Sequence, residues 1–305
     1  MLRVSRVVIV VVAGVALVGC TPATSQVATQ EPSLGSIPIV TSSEQVVLPI
    51  HSYLPSVEQN VAFMNAGKNF VNSCIQSEGG TEETNWFLED DVTGVSREAT
   101  QNDLIDFVSA YRRNDVIFSG MWGFFGVDTV AQHGYNHVEE SSFYMFVGDG
   151  DTAMDSCFTR VNSVTPGTLG AGWPLQISGL PDGGPQWHPE DSRFVTVQEQ
   201  WSQCMGTHGF AYATPDEAIN SNVLAQTDAE KQKAKAVASA DIQCKLDTNL
   251  VGVAVAVQSA YEQQYIDSHR DQLTEFQNQF AGYLAGRVTV PDEVPASGEP
   301  SMAHS

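Results

Sequence analysis

A chain of 305 residues is long enough to bury a substantial core, and 42% hydrophobic with 9% aromatic residues is a globular composition. Lys and Arg total 14 against 36 Asp and Glu, a formal net charge of −22. A surface this acidic repels phosphate backbones and sets nucleic-acid binding aside; it bears on solubility and partners, not on fold.

The chain opens with Arg3 and Arg6, followed by an unbroken apolar run over residues 7–17. That run is shorter than the roughly 20 residues a spanning helix needs, and its basic flank is that of a signal peptide. It ends in Leu17-Val18-Gly19-Cys20, which resembles the lipobox of bacterial lipoproteins. The resemblance implies removal of residues 1–19 and a diacylglyceryl thioether on Cys20. It also implies a location on the outer face of the cell membrane, since two or more acyl chains anchor stably where one does not. Without Arg3 and Arg6 the net charge becomes −24. From Cys20, residues 20–45 are rich in Thr, Ser, Pro and Gln with no sustained periodicity, and read as a flexible tether.

Residues 46–50 (Val-Val-Leu-Pro-Ile) read as a short strand or an extended segment packed on the body. Ser56 with Gln59 is a capping box opening a helix over 57–76, whose apolar face holds Val57, Val61, Met64, Val71, Cys74 and Ile75; Gly79-Gly80 closes it. Trp86-Phe87-Leu88 is a loop or short strand, 99–113 is a helix, and 115–126 is aromatic and glycine-rich and needs burial. A short helix over 127–135, a strand near 143–147 and a helix over 153–161 follow. Residues 165–190 carry many glycines and prolines and read as a long loop connecting two lobes, 46–164 and 191–288.

In the second lobe Val197, Trp201, Cys204, Met205 and His208 fall on one helical face, with Gly209 at the helix stop. Thr214-Pro215 breaks the chain, and Thr227 with Glu230 is another capping box, opening a helix that carries Cys244. An apolar stripe runs from Val251 to Leu284; Thr248-Asn249 leaves open one kinked helix or two over 228–287. Residues 289–305 read as a disordered tail. Cys74-Ile75-x-x-x-Gly79 and Cys204-Met205-x-x-x-Gly209 repeat one helix-end pattern, which suggests an internal duplication.

With Cys20 lipidated, Cys74, Cys157, Cys204 and Cys244 remain, and four cysteines outside the cytoplasm point to two disulfides with three possible connectivities. Cys204 and Cys244 lie in neighbouring helices of one hairpin-like unit, so they pair, leaving Cys74 with Cys157. A four-thiolate zinc site is disfavoured because no C-x-x-C pair occurs.

Candidate chemistry is thin. His133 and His137 have the i, i+4 spacing of metal ligands, with Glu139 and Glu140 nearby, but lack the glutamate a zinc hydrolase uses as base. Asp149-Gly150-Asp151 with Asp155 is similar to a calcium loop, yet Arg160 stands where a bidentate glutamate belongs. Glu89-Asp90-Asp91 are paired acids on an acidic surface, and His208 reads as packing or a helix cap. No nucleophile elbow, P-loop or dinucleotide fingerprint occurs. No catalytic residue, metal or cofactor is assigned.

Trp201-Ser202-Gln203-Cys204-Met205, Gly209-Phe210, Pro215 and Ala218, Ala240-Asp241-Ile242-Gln243-Cys244-Lys245, and Trp122 to Val127 running on to His133-Gly134-Tyr135 resemble a group of uncharacterised actinobacterial secreted proteins and lipoproteins. The resemblance spans 57–285 on scattered positions and brings no activity. The expectation is a mainly helical, disulfide-stabilised extracytoplasmic body on a lipid anchor, binding an envelope protein or ligand without catalysis. The rivals are an envelope hydrolase using carboxylates of the Trp/Gly-rich middle and a solute-binding lipoprotein; the latter lacks the alternating strand–helix pattern of its class.

Overall fold

Helices dominate the computed structural model, which describes residues 31–42, 45–80, 84–90, 96–115, 135, 141–146, 152–166, 173–222 and 225–291. Contacts divide the chain into Met1–Glu31 and Pro32–Ser305, and every element below lies in the second unit. Eight α-helices are described: α1 Val57–Ser77, α2 Gln101–Asp115, α3 Thr152–Asn162, α4 Ser192–Thr207, α5 Pro215–Asn220, α6 Asp228–Thr248, α7 Leu250–Ser268 and α8 Arg270–Leu284. Three strands, β1 Asn85–Asp90, β2 Ser96–Glu98 and β3 Ser141–Phe146, form one antiparallel sheet in the order β2-β1-β3. Its register sets Phe87 opposite both Glu98 and Tyr144.

The capping signals are met atom by atom. Gln59 N–H donates to Ser56 Oγ at 3.2 Å while Ser56 N–H donates to Gln59 Oε1 at 2.8 Å. Thr227 and Glu230 repeat the exchange at 3.3 and 2.8 Å. Each box satisfies two amide groups that a helix start otherwise leaves bare. Thr214 caps α5 through Glu217 N–H at 3.1 Å, with Pro215 at the first helical position, where its missing N–H costs nothing.

The segment from Asp228 onward is neither one kinked helix nor two but three. Asn249 takes a left-handed conformation (φ 51°, ψ 36°) between α6 and α7, and His269 (φ −116°, ψ 17°) separates α7 from α8. α7 is the central helix. Leu250, Val251, Ala254, Val255, Val257, Gln258, Glu262 and Ile266 are all buried, and burial around much of the circumference marks a helix enclosed by others. α4 packs against α6 and α7.

The main core draws on both halves of the chain: Phe63 of α1 stacks on Phe280 (5.0 Å between centroids) and lies 4.9 Å from Tyr283 of α8. Residues 173–185, expected as a connection between lobes, contribute Leu175, Ile177 and Leu180 to that same core, because the Gly/Pro turns fold three apolar side chains inward. Each large side chain so buried contributes about 1.5–3 kcal/mol. Two smaller clusters sit around the Cys74–Cys157 bridge and around Trp86, Leu104 and Val108.

Two ends also differ from expectation. Residues 32–42, read as part of the tether, form a strap bound to the body. Arg193 Nη1 donates to the Pro32 carbonyl at 2.7 Å, Asn249 Nδ2 donates to the Pro38 carbonyl at 2.9 Å, and Val40 is buried. Gly252 makes room: a Cβ there would lie 2.0 Å from the Pro38 oxygen. Residues 46–50 are the packed segment and not the strand: Leu48 is extended and buried, and the chain then turns into a 3-10 helix over Pro49–Tyr53. At the other end Arg160 Nε donates to the Pro291 carbonyl at 2.6 Å and Val290 packs on the first bridge, so residues 289–291 belong to the body.

Candidate functional site

Among the described residues three features carry chemistry: a closed polar centre, a buried carboxyl without a cation beside it, and an open aromatic pocket. The polar centre is built on α6. Asp241 Oδ1 accepts from Trp201 Nε1 at 2.9 Å; its Oδ2 accepts from Tyr135 Oη at 3.1 Å and from Lys245 Nζ at 2.7 Å. Spacing i, i+4 sets Lys245 one turn from Asp241, and α4 delivers the indole of Trp201 from across the helix pair. Lys245 is 1% exposed and Asp241 0%. Burial pushes the Lys245 ammonium below its usual range, and the Asp241 carboxylate beside it pulls the other way. Burial and the same carboxylate push the Tyr135 phenol up, so it stays a neutral donor. Every group here is engaged with another, and none faces solvent. This is an architectural centre.

Glu262 on α7 is a further buried acid, and no cation among the described residues pairs with it. Its Oε2 accepts from Ile50 N–H at 3.0 Å and its Oε1 from Gln258 Nε2 at 3.0 Å. Burial outweighs these hydrogen bonds and raises the carboxyl to about 7. Gln258 Oε1 is buried with no hydrogen-bond partner among the described residues. If the amide turns over, that oxygen becomes the acceptor for the O–H of a protonated Glu262. The Ile50 contact ties the segment that follows the strap to the central helix.

The pocket lies where the N-terminal part of α4 meets the start of α5 and the turn before α4. Trp187, Pro189, Phe194, Gln198, Thr214, Pro215 and Asp216 line a cavity of about 200 Å³, with Phe194 and Gln198 one turn apart on α4. Trp187 meets Phe194 edge-on at 4.9 Å. Local chemistry fixes this frame. Asp191 caps α4 by accepting from Arg193 N–H at 3.0 Å and binds the Arg193 guanidinium through both oxygens. Burial works to raise the Asp191 carboxyl, and the Arg193 contacts hold it below its ordinary value. Tyr261, stacked on His188 at 3.7 Å, donates its Oη to Asp191 at 3.3 Å. Gln198 and Asp216 are both half-buried, and neither side chain has a hydrogen-bond partner among the described residues. A second, shallower groove of about 590 Å³ runs between Leu180-Pro181 and the Asp271–Phe276 side of α8.

Cys74 pairs with Cys157 and Cys204 with Cys244, with Cα separations of 5.7 and 5.6 Å, as the sequence led us to expect. Sulfur and nitrogen or oxygen atoms of Cys204, His208 and Cys244, and of Cys74, Glu78 and Cys157, lie within 4.8 Å of one another. A disulfide sulfur is not a thiolate, so neither group is a ligand set in this state. His208 is the exposed C-cap of α4, and Asp155 is exposed on α3. His133, His137, Glu139, Glu140, Asp149, Asp151 and Asp91 lie outside the described residues, as do the side chains of Glu89 and Asp90. Sequence reasoning passed over Asp241, Lys245, Gln258, Glu262, Gln198 and Asp216. The one available signal was Trp201, whose buried indole N–H needs an acceptor.

Among the described residues no helix is long and apolar enough to cross a membrane. Comparison with protein-family models, with curated proteins and with solved structures finds no match to this chain.

Proposed function

We propose that this protein is a lipid-anchored extracytoplasmic binding protein: Cys20 carries the lipid on the outer face of the cell membrane, and the helical body engages an envelope partner without catalysis. The Leu17-Val18-Gly19-Cys20 pattern supports the anchor, and two disulfides fit an oxidising compartment. One contrast carries the binding reading. The polar groups able to do acid–base chemistry at Asp241 and Glu262 are sealed in the core, whereas the solvent-facing pocket offers aromatic and proline walls with two polar side chains, Gln198 and Asp216, that have no hydrogen-bond partner among the described residues. Such a surface recognises; it supplies no nucleophile–base pair.

The test is in-cell crosslinking of the lipidated protein, recovery from membranes, and mass analysis of both the N-terminal peptide and any captured chain. The expected result is an acylated Cys20 terminus and one envelope protein recovered reproducibly. Both should be lost from the membrane fraction of Cys20→Ala. An unmodified terminus sinks the anchor, and an empty capture at good yield sinks the partner.

A further inference from the structure

We propose that the Trp187–Asp216 pocket is a receptor for one arginine side chain of a partner protein, an inference that rests on the binding reading above. Size comes first. A cavity of about 200 Å³ is too small for a drug-sized ligand, whose sites run to about 300–1,000 Å³, and suits one long side chain. Wall chemistry comes next. The indole of Trp187, the ring of Phe194 and the pyrrolidines of Pro189 and Pro215 form a mostly apolar lining, which favours a flat, weakly hydrated cation over a compact ammonium. A guanidinium on an aromatic face is attracted by the ring quadrupole.

The polar ends of the pocket then select charge and geometry. Asp216 presents a carboxylate with no hydrogen-bond partner among the described residues, and Gln198 presents an amide oxygen in the same condition. A guanidinium carries five N–H donors and no acceptor, so a carboxylate and an amide oxygen together match it. Two cations of the surrounding helices are already engaged elsewhere. Arg193 is held by Asp191 and the Pro32 carbonyl, and Lys245, which does feel the Asp216 charge, is already neutralised by Asp241 at 2.7 Å. Neighbouring charges reinforce the sign: Glu190 and Glu217 flank the lining residues in sequence, and the whole chain is acidic at −22. Complementary charge steers a basic partner toward such a face.

The test uses the full chain in nonionic detergent, labelled with 5-fluorotryptophan and read by fluorine NMR, with the Trp187 resonance assigned from Trp187→Phe. The probe is N-acetyl-arginine methylamide, and its uncharged analogue is N-acetyl-citrulline methylamide. The expected result is a saturable shift of the Trp187 signal with a millimolar-range dissociation constant, at least about fivefold weaker for citrulline, and weaker with added salt. Asp216→Asn, at a half-buried position, should reduce arginine binding to the citrulline level while leaving the melting temperature within about 2 °C. Equal binding of the two probes overturns the proposal, as does no saturable shift, or full binding by Asp216→Asn. Tighter binding of free butylguanidine than of the amino-acid probe overturns the protein source. Failure here with a partner still captured in cells removes the pocket's role and leaves the binding reading intact; arginine binding with an empty capture does the reverse.

Discussion

The two disulfide clasps have the same local construction and opposite surroundings. α1 and α4 each end with a cysteine, an apolar residue, a C-cap and a left-handed glycine: Gly79 at φ 84° and Gly209 at φ 83°. In each, the residue after the glycine returns its N–H to the apolar residue's carbonyl, Gly80 to Ile75 and Phe210 to Met205, both at 3.0 Å. In each, the cysteine bonds to one on a later helix. Around Cys74–Cys157 a small cluster is buried, Val71, Ile75 and Val161, edged by Phe70, Phe158 and Val290, with polarity pushed to the rim, where Arg160 pairs with Glu78. Around Cys204–Cys244 lies the main core, with Asp241 and Lys245 buried on the same helix as Cys244. The helix end and the bridge follow from six residues of local pattern; what surrounds them follows from which helix receives the second cysteine.

The contrast breaks most visibly at its polar side. Asp241→Ala should destabilise by about 3–5 kcal/mol, because it leaves a fully buried ammonium unpaired and strips the acceptor from Trp201 and Tyr135. Urea denaturation reads it, and a cost under about 1 kcal/mol would mean the centre is hydrated or mobile. Replacing each cysteine pair by alanine comes next. Closure over 83 residues contributes about 4.5 kcal/mol and over 40 about 4 kcal/mol in the chain-entropy model. Loss of the Cys74–Cys157 bridge should therefore cost slightly more. The reverse order in thermal unfolding would show that core packing at Cys204–Cys244 outweighs loop entropy.

Glu262 sharpens the point about buried acids, since it lacks the cation that Asp241 has. With its folded pKa raised from 4.5 to about 7, the fold keeps a proton that the unfolded chain releases. Stability from this group is therefore full below about pH 4.5 and falls as pH rises to about 7, by about 3 kcal/mol in all. Glu262→Gln should flatten that slope and stabilise the protein at pH 8 while changing little at pH 4. Melting curves across pH check it, and an unchanged slope would relocate the titration elsewhere. The smallest effect tests the likeness itself. Gly79→Ala and Gly209→Ala should each cost about 1–2 kcal/mol through backbone strain alone, since neither new Cβ meets an atom within 4 Å. A difference beyond about 0.5 kcal/mol would break the equivalence of the clasps.

Helix starts, both bridges and the Trp201–Met205 face were legible because each is written in residues close together or in a 3.6-residue period. The polar centre was not. Asp241 and Lys245 at i, i+4 look like an ordinary solvated pair, and only the arrival of Trp201 from 40 residues away and Tyr135 from 106 encloses them. Glu262 hides likewise in a helix whose apolar stripe predicts one buried face, when α7 is enclosed on several. The pocket was illegible for a related reason. Trp187 reads as the end of a glycine-rich loop and Thr214-Pro215 as a break, and α4 brings them together only after it has packed.

The strap at residues 32–42 has a mechanical consequence. Ten residues of extended chain reach about 35 Å, and seating them on the body removes that much slack from whatever holds the N-terminus. A pull arriving at Pro32 meets the Arg193 guanidinium first and then the Asn249 amide, at the corner between α6 and α7. Those contacts run from side chains across to the strap's carbonyls, so tension along the strap loads them in shear, together with Leu34 and Val40, which pack on the apolar core. The cleat of the strap is the left-handed asparagine between two helices.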